Sequence, residues 1–235
     1  MNSIHPTAVV DGDVVLGTGN TVGPYAVITG PVTIGNDNWL GSGVVIGAPP
    51  EVRSWAHPTD AARRSSGNGI IIGDGNVVRE NVQIHQGWKE QTRLGDGTFI
   101  MNQSYLAHDC LVDDGATLAS SVLLGGHVRV GAGANLGLGT TVHQFRRIGR
   151  GAMIGMSSAV TRDVPPFAKA FGNPAVVRGA NVIGMERSGV AAELIALLGR
   201  IYDGEELGVE VIDDADMRGA VERWMAQRNN RSDRT

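Results

Sequence analysis

Residues 94–136 read LGDGTFIMNQSYLAHDCLVDDGATLASSVLLGGHVRVGAGANL, and an aliphatic residue returns in them at every sixth position. The same spacing extends outward over residues 4–46, over residues 72–84 and on to residue 160. All 23 positions of this series are Ile, Leu or Val, and the residue four places later is usually small or β-branched. Both positions are therefore expected to point inward.

A period of six is too short for a helical repeat and too long for simple strand alternation. It suits one flat side of a triangular prism, with about 18 residues in each three-sided coil. Glycine, with 34 residues, suits the corners, and the aromatic content of 5% is low for a conventional core. The sequence predicts an all-β solenoid, a parallel β-helix of hexapeptide repeats, over residues 1–165. Known hexapeptide solenoids are left-handed, and we expect the same hand here.

Two gaps interrupt the rhythm, and both predict loops that leave the prism, at residues 47–71 and 85–93. After residue 165 the rhythm stops, and residues 166–235 predict a C-terminal extension with about two helices. The first is expected over residues 188–200 with Ser188 as its N-cap, and the second over about 213–227. The polar tail from Asn229 is expected to fray.

Composition excludes several classes of function. The net charge of −4 offers no electrostatic footprint for nucleic acid. No stretch reads as a membrane span, and the first ten residues do not read as a signal peptide. The single cysteine, Cys110, allows no internal disulfide and falls at an inward position, so we expect it to pack in the core of a cytoplasmic protein.

The repeat also collects histidines. If each gap counts as one step, one corner of successive coils follows Ile46, Ile84, Leu106, Leu124 and Val142. A histidine lies within three residues after four of these positions, and the four are His85, His108, His127 and His143. Coils in such a ladder lie about 4.8 Å apart, so the four rings should share one strip beside both loops.

This corner is a candidate active site. Asp109 follows His108 directly and suits orienting a basic imidazole, which favours acid–base chemistry over metal binding. Zinc held by histidines remains the alternative, as in a zinc-dependent hydratase on the same scaffold. We expect no metal and no cofactor.

Several segments around the histidines resemble one family. The resemblance covers roughly residues 1–190 in the same order and spacing, and the AHDC and VHQF pieces are its specific parts. The family is that of the UDP-N-acetylglucosamine O-acyltransferases of lipid A synthesis. The segments are IHPTAVV (4–10), IGDGNVVRENVQIHQG (72–87), LAHDC (106–110), GGHVRVG (125–131), VHQF (142–145), DVPPFAKAFGNPA (163–175) and GANVIGMERSG (179–189).

The resemblance implies a homotrimer with active sites in clefts between subunits. It implies transfer of a hydroxyacyl chain from acyl carrier protein to the 3-hydroxyl of the sugar nucleotide. His108 would be the general base, Asp109 would hold its ionisation state, and the Gly126 N–H would stabilise the oxyanion. The remaining expected contacts to nucleotide, sugar, acyl group or pantetheine are made by His85, His127, His143, Gln144, Asn181 and Arg187.

The chain departs from the family pattern where the acceptor binds. Tyr105 replaces a histidine, Val52 and Ser54 align where the family has an Asp and a Lys, and Ile183 replaces a glutamate. N-acyl transfer to an amino-sugar nucleotide from an acyl-CoA donor is therefore a second interpretation. The first remains O-acyl transfer from acyl carrier protein.

Met156 concerns the length of the acyl chain. In the family its position lines the far end of the acyl groove, and Leu138 lies one coil below. Two bulky residues predict a shallow groove and a preference for a short or medium chain.

Overall fold

A computed structural model of the chain describes residues 1–57 and 67–232. In these residues, 25 short strands numbered β1–β25 and three helices numbered α1–α3 follow one another along the chain. Apart from the final hairpin the strands pair in parallel, and they form the three sides of a solenoid that we name sides A, B and C.

The strands of each side stack coil on coil. Side A contains β1 (Ser3–Ile4), β4 (Thr21–Val22), β7 (Trp39–Leu40), β10 (Val77–Val78), β13 (Phe99–Ile100), β16 (Thr117–Leu118), β19 (Asn135–Leu136), β22 (Met153–Ile154), β24 (Ala168–Gly172) and β25 (Ala175–Ala180). Side B contains β2 (Val9–Asp11), β5 (Val27–Thr29), β8 (Val45–Ala48), β11 (Gln83–His85), β14 (Tyr105–Leu106), β17 (Leu123–Leu124), β20 (Thr141–Val142) and β23 (Ala159–Val160). Side C contains β3 (Val14–Leu16), β6 (Val32–Ile34), β9 (Ile70–Ile72), β12 (Thr92–Leu94), β15 (Leu111–Val112), β18 (Arg129–Val130) and β21 (Arg147–Ile148).

The register follows the hexapeptide series. Ile4 pairs with Val22 on side A, and Leu106 pairs with Leu124 on side B, each one coil of three hexads further on. From Val22 upward the aliphatic positions of the series are buried and form a continuous core. Ile4 and Val10 stay partly exposed because no coil lies beneath the first one. The predicted parallel solenoid is confirmed.

Both loops leave the solenoid between sides B and C. The first follows β8 at Ala48 and returns at Ile70, and the second follows β11 at His85 and returns at Thr92. Residues 58–66, in the middle of the predicted first loop, lie outside the described residues.

Arg146 occupies a nominally inward position, yet its side chain turns outward. Its Nε donates to the Gln144 carbonyl at 3.3 Å, and its guanidinium lies 3.8 Å from Asp163. The charge thus avoids the core and finds acceptors at the surface. Cys110 is fully buried as expected, and burial raises the pKa of its thiol to about 12.

The C-terminal extension closes one end of the solenoid. The antiparallel hairpin β24–β25 extends side A, and the Tyr202 hydroxyl donates to the Pro166 carbonyl at 2.6 Å. In the described residues no helix has both the length and the apolar composition needed to cross a membrane. The three helices are α1 (Val182–Arg187), α2 (Ala192–Tyr202) and α3 (Ala215–Ser232).

The helix boundaries correct the sequence prediction. Ser188 is not an N-cap but the C-cap of α1, which begins earlier because the Asn181 side chain accepts the Gly184 N–H. Gly189, with φ of 70°, then turns the chain before α2. The predicted frayed tail is helical as far as Ser232, since no Gly or Pro interrupts α3 after Gly219, and residues 233–235 lie outside the described residues.

Candidate active site

The corner between sides B and C carries the histidines, and we call it the histidine corner. Ile84, Leu106, Leu124 and Val142 lie in register on side B, so the residues after them align as well. His85 and His143 come first after the aliphatic residue of their coil, His108 comes second and His127 comes third. The predicted clustering at one corner is confirmed, and the second loop leaves from the same corner.

His108 and Asp109 form the centre of this corner. The His108 Nδ1 lies 2.7 Å from the Asp109 Oδ2, and both side chains are largely buried. Because the carboxylate can only accept, the hydrogen of a neutral His108 resides on Nδ1 and leaves the Nε2 lone pair free. An imidazole held in this way can accept a proton at Nε2.

The surroundings of Asp109 keep it ionised. Burial by itself raises the pKa of this carboxyl, but hydrogen bonds from the Glu90 N–H, His108 and the Lys89 N–H, with the nearby His127 ring, bring it below its usual value. The residue adopts φ of 61°, a left-handed conformation that Asp tolerates better than most residues and that turns its side chain towards the second loop.

Gly126 lies directly over His108, one coil higher. A Cβ on Gly126 would lie 2.5 Å from the His108 Cε1 and 2.7 Å from Nε2, so only glycine leaves the ring in place. Within residues 1–57 and 67–232 the Gly126 N–H donates no hydrogen bond, whereas its carbonyl accepts the Phe145 N–H. The chain therefore places a free amide donor above the basic ring.

The other histidines differ in their surroundings. The His127 ring stands edge-on to the His108 ring, with 5.2 Å between the ring centroids, and stacks on the Phe145 ring at a centroid distance of 4.5 Å. Its Nε2 lies 3.4 Å from the Asp109 Oδ2. His85 is buried, and its Nδ1 donates to the Pro49 carbonyl at 2.7 Å. Its Nε2 lone pair is buried and has no partner among the described residues, which suits it to accept a hydrogen bond from a ligand.

His143 and Gln144 lie at the exposed end of the corner. The His143 Nδ1 lies 3.1 Å from the carbonyl oxygen of its neighbour Gln144. Gln144 occupies the place of His108 two coils higher, with Gly126 between them. Both side chains are open to a ligand on the outside of the solenoid.

Three residues predicted for the site lie elsewhere in this chain. Asn181 caps α1 and donates from Nδ2 to the Gly151 carbonyl at 3.0 Å, at the corner between sides C and A. Arg187 is exposed in the last turn of α1. Met156 follows β22 at the corner between sides A and B and is 69% exposed. Leu138, one coil below it, is also exposed. Within one chain these three residues therefore lie apart from the histidine corner.

Sequence reasoning missed two features of the site. Tyr105, on the outer face of side B, donates its hydroxyl to the Glu51 carboxylate of the first loop at 2.6 Å and stands against His85 at 5.0 Å. Residues 88–90 of the second loop direct their backbone N–H groups at Asp109. The hexapeptide spacing marks inward positions and predicts neither contact. The second contact also involves only backbone groups of the loop, which do not depend on residue type.

The donor set argues against a metal centre. The His108, Asp109 and His127 ligand atoms lie within 4.8 Å of one another, a spacing that an ion could bridge. However, the Asp109 Oδ1 already accepts three backbone N–H groups, and its Oδ2 accepts His108 with His127 close by. A carboxylate whose lone pairs are occupied in this way has no oxygen free for a metal.

The fold and this corner define a parallel β-helix protein built from hexapeptide repeats. A solved UDP-N-acetylglucosamine acyltransferase from Campylobacter jejuni superposes with a TM-score of 0.72 at 27% identity, over 96% of this chain and 88% of that chain. One from Bacteroides fragilis 9343 gives a TM-score of 0.76 at 26% identity, over 93% of this chain and 95% of that chain. The expected left hand of the solenoid is thereby confirmed.

Sequence comparison agrees. A family model described as "Udp N-acetylglucosamine O-acyltransferase; Domain 2" matches residues 163–204. An acyl-[acyl-carrier-protein]--UDP-N-acetylglucosamine O-acyltransferase from Stutzerimonas stutzeri is 36% identical over 136 residues, 57% of this chain and 53% of that protein. The chain thus spans about half the length of the curated relatives it matches. Together, these comparisons show that the chain is similar to UDP-N-acetylglucosamine O-acyltransferases in fold and, over parts of its length, in sequence.

Proposed function

We propose that the chain is an acyltransferase that moves an acyl group from acyl carrier protein to the 3-hydroxyl of UDP-N-acetylglucosamine, acting as a homotrimer in the cytoplasm. The observation that carries the proposal is the His108–Asp109 pair with the free Gly126 N–H above it. A hydroxyl that attacks a thioester needs a base and a donor for developing negative charge, and it needs no covalent intermediate.

The proposed reaction balances with these groups alone. The His108 Nε2 takes the proton of the sugar hydroxyl as its oxygen attacks the thioester carbonyl carbon. The resulting oxyanion accepts the Gly126 N–H. When the carbon–sulfur bond breaks, the departing thiolate receives the proton back from His108, and ester and free thiol leave.

Binding of the acceptor and the donor uses the remaining groups of the corner. The buried His85 Nε2 accepts a hydroxyl or amide hydrogen, and His127, His143 and Gln144 line the rest of the corner. Asn181 and Arg187 contribute the diphosphate or pantetheine contacts from a neighbouring subunit.

Assembly as a trimer is supported by apolar side chains on the outside of the solenoid. Leu123 on side B and Met153 on side A are each nearly half exposed, and Phe145 extends from the histidine corner. Outward apolar side chains on adjacent sides suit contact with another copy. Such contact would also complete the site with the residues that one chain holds apart.

A second candidate is N-acyl transfer to an amino-sugar nucleotide from an acyl-CoA donor. The specific observation is Glu51, whose carboxylate is held by Tyr105 against His85. A negative charge beside the acceptor favours an amine over a neutral hydroxyl.

The test incubates the purified protein with a panel of nucleotide sugars, each offered with acyl carrier protein and CoA thioesters, and detects products by mass spectrometry. O-acylated UDP-N-acetylglucosamine with release of free carrier thiol supports the proposal. An amide product that forms faster on an amino-sugar nucleotide selects the second candidate. Turnover that chelators abolish and zinc restores would instead favour a hydratase.

A further inference from the structure

The second loop, residues 86–91, folds back over Asp109 and presents three successive backbone N–H groups to one oxygen. The Oδ1 of Asp109 accepts the N–H of Trp88 at 3.0 Å, of Lys89 at 2.8 Å and of Glu90 at 2.6 Å. Successive amides that converge in this way form a concave anion-binding site. Here the anion is a side chain of the chain itself.

The loop is anchored at both ends by fully buried side chains. Gln86 donates from Nε2 to the Gly47 carbonyl at 2.7 Å and accepts the Gly67 N–H at 2.6 Å. Thr92, at the return to the solenoid, accepts the Asp109 N–H at its Oγ1 at 3.0 Å. These hydrogen bonds therefore fix the position of the loop amides relative to the Asp109 backbone without the help of a ligand.

We propose that this loop is the positioning element of the base, with Thr92 and Trp88 as positioning residues; this rests on the proposed function of His108. Since the amides occupy Oδ1, only Oδ2 is left for the His108 Nδ1, at 2.7 Å. The carboxylate cannot rotate to offer its other oxygen. The imidazole is therefore held in the tautomer that presents its Nε2 lone pair to the acceptor.

The Trp88 side chain adds a wall above the ring. The Trp88 and His108 rings stand edge-on, with 5.8 Å between their centroids and an interplanar angle of 87°. The Lys89 Nζ lies over the Trp88 ring, 4.1 Å from its centroid. One residue thus contacts both members of the pair, Asp109 through its amide and His108 through its indole. The indole limits the tilt of the imidazole and keeps water from that side.

The loop also directs the nearby charges. The Glu90 carboxylate turns towards Arg129 on side C, 3.8 Å away, rather than towards Asp109. Among the described residues, His127 lies 3.4 Å from the Asp109 Oδ2, the buried Cys110 thiol also faces Asp109, and the Lys89 ammonium lies against the Trp88 indole. The His127 ring favours the anionic form of Asp109, whereas Lys89 acts on it through its backbone N–H.

The experiment measures the tautomer of His108 directly, by ¹⁵N NMR of protein labelled in its histidine rings, with His108→Ala to assign the signals. At a pH at which the His108 ring is neutral, the unaltered protein is expected to show hydrogen on Nδ1 and a bare Nε2. Thr92→Val removes the acceptor of the Asp109 N–H and is expected to mix the two tautomers. It should lower kcat by about tenfold to a hundredfold while KM changes less than twofold.

Two controls separate positioning from a general loss of stability. Thr92→Ser keeps the hydroxyl and should restore both the tautomer and kcat. Thr98 is another buried threonine, and its hydroxyl donates a hydrogen bond to the Asn76 Oδ1 at a different corner. Thr98→Val removes this hydroxyl and should leave the tautomer and kcat unchanged. Trp88→Phe should retain more activity than Trp88→Ala, because both keep the backbone N–H and only the first keeps a ring.

Hydrogen on Nε2 with a bare Nδ1 in the neutral ring of the unaltered protein would overturn the proposal, even if Thr92→Val failed to fold. So would a Thr92→Val protein with unchanged tautomer and kcat. Since the NMR measurement needs no substrate, it decides the role of the loop separately from acyl transfer. A protein with the expected tautomer but without acyl transfer would contradict only the proposed function.

Discussion

At the scale of single residues, Asp109 carries the strongest local constraint. Its lowered pKa means that the folded chain binds a proton less readily than the unfolded chain, so its ionised form stabilises the fold. That contribution is fully present above the unfolded pKa, at about pH 4, and is lost as the pH falls through the lower folded pKa.

Asp109→Asn should therefore destabilise the protein by about 1–3 kcal/mol at neutral pH, because an amide cannot satisfy three N–H donors and His108 together. Thermal melting from pH 7 to pH 2.5 measures the effect. The gap between parent and variant should stay constant above about pH 5 and close below about pH 4. Asp114→Asn is the control, since its exposed carboxylate accepts a single backbone N–H, that of Asp96. A gap that widened in acid would contradict the assignment.

Gly126 is the second residue whose replacement should be decisive. A methyl group at Gly126 would overlap the His108 ring, so Gly126→Ala should lower activity by at least about a hundredfold by displacing the base. Steady-state kinetics together with the melting temperature check this result. Gly199→Ala, in a helix with open space around it, should keep full activity. Normal activity in Gly126→Ala would show that activity does not require the close approach of the Gly126 backbone to the His108 ring.

At the scale of elements, the hexapeptide series predicted the coils and the register because the inward positions admit only residues that fill the prism. Leu106 and Leu124 could be paired from the sequence alone, and with them the histidine corner. The loops could not be traced in this way, since Glu51 and Trp88 lie outside the periodic positions. The amides on Asp109 are backbone groups common to almost every residue, so they leave no signal in a sequence.

The boundaries of the helices were missed for a related reason. Ser188 is a good N-cap by residue type, but Asn181 starts a helix earlier by accepting the Gly184 N–H. Competing caps a few residues apart cannot be ranked without the packing around them. The Asn181 side chain also reaches the Gly151 carbonyl, a contact 30 positions away along the chain.

The outer corner between sides A and B carries the prediction on chain length. Met156 is 69% exposed and does not pack inside the prism, which leaves it free to close a groove between subunits. We expect the parent to prefer a short or medium acyl chain and Met156→Gly to shift the preference upward, at about 0.8 kcal/mol for each added methylene. Competition between donors of different length measures the shift.

Val211→Gly is the matched control, because it removes an apolar side chain that is 72% exposed from the C-terminal extension. It should leave the ranking of donors unaltered. A parent that already prefers the longest chain, or an unaltered ranking in Met156→Gly, would show that Met156 does not limit the groove.

At the scale of the whole molecule, one chain holds half of the proposed site. The histidine corner lies between sides B and C, whereas Asn181 and Met156 lie at other corners. We expect sedimentation equilibrium at micromolar concentration to give three times the chain mass of 24.7 kDa. A monomer under these conditions would contradict a site shared between subunits.

The central claim is that His108 acts as the base for acyl transfer. The most direct measurement compares the rate of acyl transfer to UDP-N-acetylglucosamine in the parent, in His108→Ala and in His5→Ala, a control in the first coil. We expect a loss of about 10²–10⁴-fold in His108→Ala, with fold and assembly intact, and a parental rate in His5→Ala. A His108→Ala protein within threefold of the parent would contradict it.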